Sequence, residues 1–217
     1  MQGCICENEM IKAIFFDMGG VLVDLRMEEC KEAFKNRIGF YRIDELLDAC
    51  HQKGIIGDME AGRIGVPEFC DEVRKGCPGD PSDEMIFDAF NELLGRVPAE
   101  KLDYLKRLCK RYPLFLLSNA NPIAMQRVHE IFAEEGCGME EIFREIYVSC
   151  FLKMLKPGAE IFREAARRSG FREDEILFID DSRPNVDGAV AAGYNATYYE
   201  RGTDLEALVE NELKKYN

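Results

Sequence analysis

Short apolar runs that alternate with helical patterns constrain this chain more than any other feature of its 217 residues. Residues 14–16, 114–117, 146–148, 176–179 and 197–199 each read as a strand. Between the later runs, apolar residues recur at helical spacing. Leu102, Leu105, Leu108 and Cys109 form one such set, Ile123, Val128, Ile131 and Phe132 a second, and Ile161, Phe162, Ala165 and Ala166 a third. Buried strands alternating with helices predict the α/β class, with a doubly wound, mostly parallel, Rossmann-like sheet. The length suits one such domain with an insertion, or two modest domains.

The stretch 25–97 breaks the rhythm, because it is rich in helical patterns and lacks strand-like runs. Ile43, Leu46, Leu47 and Cys50 share a helical face. A helix carrying Phe69, Cys70 and Val73 is expected to start at Pro67, where a missing N–H is harmless. Ser82 is placed to cap a helix with Ile86, Phe87, Phe90, Leu93 and Leu94, stopped by Gly95. Residues 54–63 read as loop or as only briefly helical. The expectation is a small helical cap at 25–97, inserted into a core made of 1–24 and 98–217. Further cues start helices at Asn121-Pro122 and Lys156-Pro157, close a short helix at Gly193, and open the C-terminal helix with a capping box over Thr203-Asp204-Leu205-Glu206.

A net charge of −13 argues against nucleic acid or an anionic membrane as partner, since both need a basic face. It leaves room for a small anionic substrate, because a metal can make one site locally positive. The nine cysteines include no Cys-x-x-Cys pair, which favours a reduced, cytoplasmic setting over a disulfide scaffold or a zinc site. Cys4 and Cys6 read as part of a spare N-terminal end, and Glu7 and Glu9 there are unlike a secretory signal. No segment approaches the ~20 apolar residues of a membrane helix.

Polar groups stand at the ends of these elements. The first strand ends on Asp17, the second on Ser118-Asn119 and the fourth on Asp180-Asp181, while Lys156 stands before a proline. In a parallel sheet the carboxyl ends share one edge, where ligands bind. Converging carboxylates repel unless a cation compensates, and Mg²⁺ suits them because it is hard and takes carboxylate, phosphate and water oxygens. Lysine and hydroxyl then serve as phosphate donors, helped by the dipole of a helix expected to begin at Pro157. The chemistry this constellation points to is phosphoryl transfer with a carboxylate nucleophile. Lys153 competes with Lys156, which is preferred for its place directly before the proline. His51 and His129 read as structural or surface groups, and Asp180 has a second reading as a helix cap. Cys50 and His51 are neighbours in sequence and point apart on a helix.

Four motifs resemble those of the haloacid dehalogenase-like hydrolase superfamily: Phe16-Asp17-x-Gly19-Gly20-Val21-Leu22, Leu117-Ser118-Asn119, Lys156-Pro157-x-x-x-Ile161-Phe162, and Phe178-Ile179-Asp180-Asp181-Ser182-x-x-Asn185. They occur in the family's order. The chain is most similar to small-cap phosphatases with an Asp-x-Gly opening, some of which act on sugar phosphates, and residues 60–64 and 67–69 resemble their cap. The resemblance implies an Mg²⁺-dependent phosphatase of a small phosphorylated metabolite, a monomer or weak homodimer. It implies that Asp17 forms an aspartyl-phosphate. Asp17, the Gly19 carbonyl and Asp181 would hold the metal, with Asp180 behind them or bound through water. Ser118, the Asn119 backbone and Lys156 would hold the phosphoryl oxygens. One departure stands out. Most phosphatases of this kind have a second Asp two residues after the nucleophile as acid and base, and Gly19 has no side chain. The proton would then come from the cap, from the substrate or from Asp24. The alternatives are a phosphomutase, a metal-independent dehalogenase, and a phosphometabolite-binding protein without turnover. Substrate choice is expected to lie within 25–97, with His51, Lys53 and Arg63 as candidates.

Overall fold

The structure, a computed structural model, describes residues 10–47 and 54–216. Its sheet is built from β1 (Ala13–Phe16), β2 (Leu114–Ser118), β3 (Phe143–Val148), β4 (Ile176–Asp180) and β5 (Asn195–Tyr198). The strand order is β3-β2-β1-β4-β5, and every pairing is parallel. Between β1 and β2 come α1 (Met27–Ile38), α2 (Ile43–Leu46), α3 (Gly54–Glu60), α4 (Val66–Lys75), α5 (Asp83–Asn91) and α6 (Ala99–Leu108). The rest are α7 (Pro122–Glu134), α8 (Ser149–Leu152), α9 (Ala159–Ser169), α10 (Arg183–Ala191) and α11 (Leu205–Tyr216).

Successive strand residues point to opposite faces, so each run feeds two cores. Ile14, Phe16, Leu114, Leu116, Leu177 and Ile179 pack with α6, α7, α11 and the helices that follow β1. Ala13, Phe15, Phe115, Leu117, Ile176 and Phe178 pack with α9 and α10. This is the doubly wound α/β arrangement read from the apolar runs. Phe15 stacks on Phe115 at 4.6 Å between ring centroids and meets Tyr194 edge-on at 5.9 Å. Truncating such a fully buried ring costs about 3–5 kcal/mol.

Several boundaries differ from the sequence reading, each for a local reason. The Lys156-Pro157 pair does not start a helix. Pro157 lies in a turn closed by Gly158 N–H donating to Leu155 O at 2.9 Å, and α9 begins at Ala159. Leu93 and Leu94 do not extend α5, which ends at Asn91. They turn back beside residues 24–26 instead: Arg26 N–H donates to Leu93 O (2.8 Å), Asp24 N–H to Arg96 O (3.0 Å) and Gly95 N–H to Asp24 O (2.7 Å). The cap of α11 is Asp204, whose carboxylate accepts from Ala207 N–H, while the Thr203 hydroxyl donates to the Glu200 carbonyl. Ser82 caps α5 by accepting from Met85 N–H. Residues 54–60 are helical. Cys4, Cys6, Cys50, His51 and Lys53 lie outside the described residues. No described helix is long and apolar enough to cross a membrane.

Candidate active site

The middle strand delivers Asp17 to the carboxyl edge. Phe16 pairs with Leu116 and Ile179, and Asp17 N–H donates to Ile179 O at 2.9 Å, which sets Asp17 beside the ends of β2 and β4. The chain then turns sharply. Leu22 and Val23 N–H groups both donate to Met18 O, and Gly20 N–H donates to Val23 O. Lys101 of α6 donates to the Val21 carbonyl at 2.5 Å and pins the turn from behind. Gly20 has φ +81°, and a Cβ there would collide with the Asp181 carboxylate. Positive φ and close approach both require glycine.

Lys156 is the hub of the charges. Its Nζ donates to Asp17 Oδ1 (2.8 Å), Asp180 Oδ2 (2.6 Å) and Leu117 O (2.9 Å), which uses all three protons. The Asn119 side chain holds the Lys156 peptide from both sides, accepting from Lys156 N–H and donating to Lys156 O, both at 2.9 Å. Asp180, fully buried, accepts from Lys156, Ser182 N–H and the Asn185 amide. It does not cap α10, whose N-cap is Ser182. Asp181 is paired with Arg201 Nε in a short contact.

Asp17, Asp180 and Asp181 bring carboxylate oxygens within 4.8 Å of one another, against the buried Lys156 ammonium and, at Asp181, the Arg201 guanidinium among the described residues. That leaves an excess of negative charge. Burial, opposed by Lys156 and reinforced by Asp180 and Asp181, pushes Asp17 up to about 7. Burial also raises Asp181, with Arg201 opposing. Burial works against the Lys156 ammonium, yet Asp17 and Asp180 hold its pKa above the ordinary lysine value. Hard oxygen donors with too little positive charge among them fit a divalent cation such as Mg²⁺.

A cavity of about 380 Å³ opens over this cluster. Asp17, Gly19, Ser118, Asn119, Lys156 and Asp181 all border it, so the candidate residues from four separate motifs meet there. Lys153 does not border it, and neither does Asp24, which is exposed on a different depression. Arg63 is exposed and paired with Asp58 at 2.6 Å, and His129 is exposed on α7. Among the further residues that line the cavity are Glu60, Asn121 and Arg201, to which sequence reasoning gave no role in the site. Two signals were available for Glu60: it ends an apolar helix face with Ile56 and Met59, and it opens the stretch 60–64 that resembles the phosphatase cap. Asn121 accepts from Ala124 N–H to cap α7, and its buried Nδ2 has no hydrogen-bond partner among the described residues.

The comparisons with known proteins agree with this geometry. Residues 11–193 match the model of the haloacid dehalogenase-like hydrolases. A D-ribitol-5-phosphate phosphatase of Bacteroides thetaiotaomicron is 33% identical over 196 residues, which is 90% of this chain and 95% of that one. A wild-type enzyme of the family from the same species, solved with magnesium and inorganic phosphate, is 36% identical, with a TM-score of 0.85 over 91% of this chain and 98% of its own. A predicted hydrolase of the family from Porphyromonas gingivalis is 35% identical, with a TM-score of 0.86 over 94% and 98%.

Proposed function

Because the chain belongs to the haloacid dehalogenase-like hydrolases, we propose that it is an Mg²⁺-dependent phosphatase of a small phosphorylated metabolite, with Asp17 as nucleophile. The observation that carries the reading is the buried Asp17 at the tip of the central strand, held by Lys156 and facing a cavity bordered by Asp181 and Ser118. Asp17, the Gly19 carbonyl and Asp181 would hold the metal, which supplies charge neutralisation at the phosphoryl oxygens. Ser118 and the Asn119 backbone would orient those oxygens by hydrogen bonds and Lys156 by its adjacent positive charge, so that Asp17 attacks in line. Asp180 fixes Lys156 and gives it no freedom to leave.

Residues 25–97 form the cap that closes the site over the leaving group. A cavity of about 380 Å³ lies in the size range of small-molecule sites. The named activity of the Bacteroides relative makes polyol and sugar phosphates the first substrates to try. The acidic surface supports a small ligand over nucleic acid or membrane. The six described cysteines are all free, which supports a reducing, cytoplasmic setting. The chain is taken as a monomer or weak homodimer.

Phosphate release from a panel of polyol, pentose and hexose phosphates, with Mg²⁺ and with EDTA, tests the reading. Release should require the metal and fall at least about 10³-fold in Asp17→Asn. Halide release from a haloacid without metal would replace it with the dehalogenase. Tight phosphate binding without turnover would replace it with a binding protein. Transfer of the phosphoryl group to a second sugar would replace it with a mutase.

A further inference from the structure

Hydrolysis of an alkyl phosphate needs a proton for the leaving oxygen and then a base for water, and Gly19 offers neither. The groups around Asp17 are committed. Lys156 has three acceptors, Asp180 has three donors, and Asp181 is held by Arg201. Glu60 is different. It is 7% exposed, borders the same cavity, and among the described residues no hydrogen bond reaches its carboxyl group.

Its position is built. The Ser149 hydroxyl donates to the Glu60 carbonyl at 2.6 Å and accepts from Ala120 N–H at 3.0 Å, which ties the end of α3 to the loop after β2. Gly62, at φ +64°, lets the following turn close against the Cys150 carbonyl, where any Cβ would collide. The helical segment thus delivers one buried carboxyl group to the cavity that holds Asp17.

We propose that Glu60 is the acid and base of the reaction, an inference that rests on the phosphatase reading above. In the first step an Asp17 oxygen bonds to phosphorus and the bond to the leaving oxygen breaks. The Glu60 proton goes to that oxygen, giving an alcohol, an aspartyl-phosphate and a Glu60 carboxylate. In the second step a water oxygen bonds to phosphorus, its proton goes to Glu60, and the bond to Asp17 breaks. Phosphate leaves and both carboxyl groups are restored. The environment supports the starting state: burial, then the charge of Asp17, pushes Glu60 up to about 8 against the pull of Lys156, so it holds its proton near neutrality. On α8 the titratable group that feels the Glu60 charge is the thiol of Cys150, which burial, first, and that charge push up.

Leaving-group dependence tests the assignment. Wild type, Glu60→Gln and Glu60→Asp are compared on p-nitrophenyl phosphate and on the sugar or polyol phosphate that wild type hydrolyses best. Glu60→Gln should lose roughly 10²–10⁴-fold on the alkyl ester. On the aryl ester, whose leaving group departs unprotonated, it should release a burst of one nitrophenolate per site, followed by slow turnover with phosphate trapped on Asp17. Glu60→Asp keeps a carboxyl group and should recover at least about tenfold over Glu60→Gln on the alkyl ester. Unchanged rates, or an equal loss on both esters without a burst, would overturn the role of Glu60 while the phosphatase stands. A wild type that hydrolyses neither ester would overturn the phosphatase and this role together.

Discussion

Three carboxylates and one ammonium meet at the tip of β1, and the ammonium is the only cation within hydrogen-bond reach of both Asp17 and Asp180 among the described residues. Removing one partner of a buried charge pair leaves the other uncompensated, at a cost of about 3–5 kcal/mol. Lys156→Met should therefore lower stability by that order in urea unfolding with EDTA, and a loss under about 1 kcal/mol would show that the pairing is not structural. Gly20→Ala should be harmful for steric reasons. Its φ of +81° costs about 1–3 kcal/mol for a residue with a Cβ, and that Cβ displaces Asp181. Reduced Mg²⁺ affinity in calorimetry is the expected result, and wild-type affinity would contradict it. Asn121→Ser keeps a capping oxygen for Ala124 N–H and removes the unpartnered Nδ2, so it should change stability by only a few tenths of a kcal/mol, and a loss above about 1 kcal/mol in urea unfolding would contradict this.

Among the elements, strands were easier to read than helix ends. β1, β2 and β4 are short runs buried throughout, so no alternation obscures them, whereas β3 carries exposed Arg144 and Glu145 and β5 is half-buried. Helix ends depend on single hydrogen bonds that composition does not reveal. Leu93 and Leu94 fit a helical stripe by spacing, yet they pair backbone to backbone with residues 24–26. Pro157 looked like a first helical residue but belongs to the turn before α9. Asp17, Ser118 and Lys156 were legible because each ends or precedes an element that the sheet topology brings to one edge. Glu60 and Arg201 were not, since a charged residue on a helix or loop usually faces water. The junction between α3 and α8 is where an element-scale test belongs. Ser149→Ala removes the donor to Glu60 O and the acceptor for Ala120 N–H, both buried, and should cost about 1–3 kcal/mol. Greater hydrogen-exchange rates in α3 than in β2 would mark the site of the loss.

For the molecule as a whole, the buried carboxyl groups tie stability to pH and metal. Folding raises Asp17 from 3.8 to about 7 and Glu60 from 4.5 to about 8. The native state then binds more protons than the unfolded chain between those limits, so this contribution is complete near pH 4 and is lost as pH rises to 8. In EDTA the melting temperature should fall from pH 5.5 to 8, and less steeply in Glu60→Gln. Saturating Mg²⁺ favours the ionised carboxylates, so it should raise the melting temperature more at pH 8 than at pH 5.5. A metal effect independent of pH would contradict this. The paired crossings at residues 24–26 and 93–96 carry a different consequence. The chain leaves the sheet and returns through one doorway, so the helices between are, in polymer terms, a loop with both ends already pinned. Doubling the length of such a loop adds only about 0.6 kcal/mol of closure entropy. One contiguous stretch of gene can therefore be lengthened or exchanged by recombination while Asp17, Asp180 and Asp181 keep their places, so long as the replacement returns a carboxyl group to the position of Glu60.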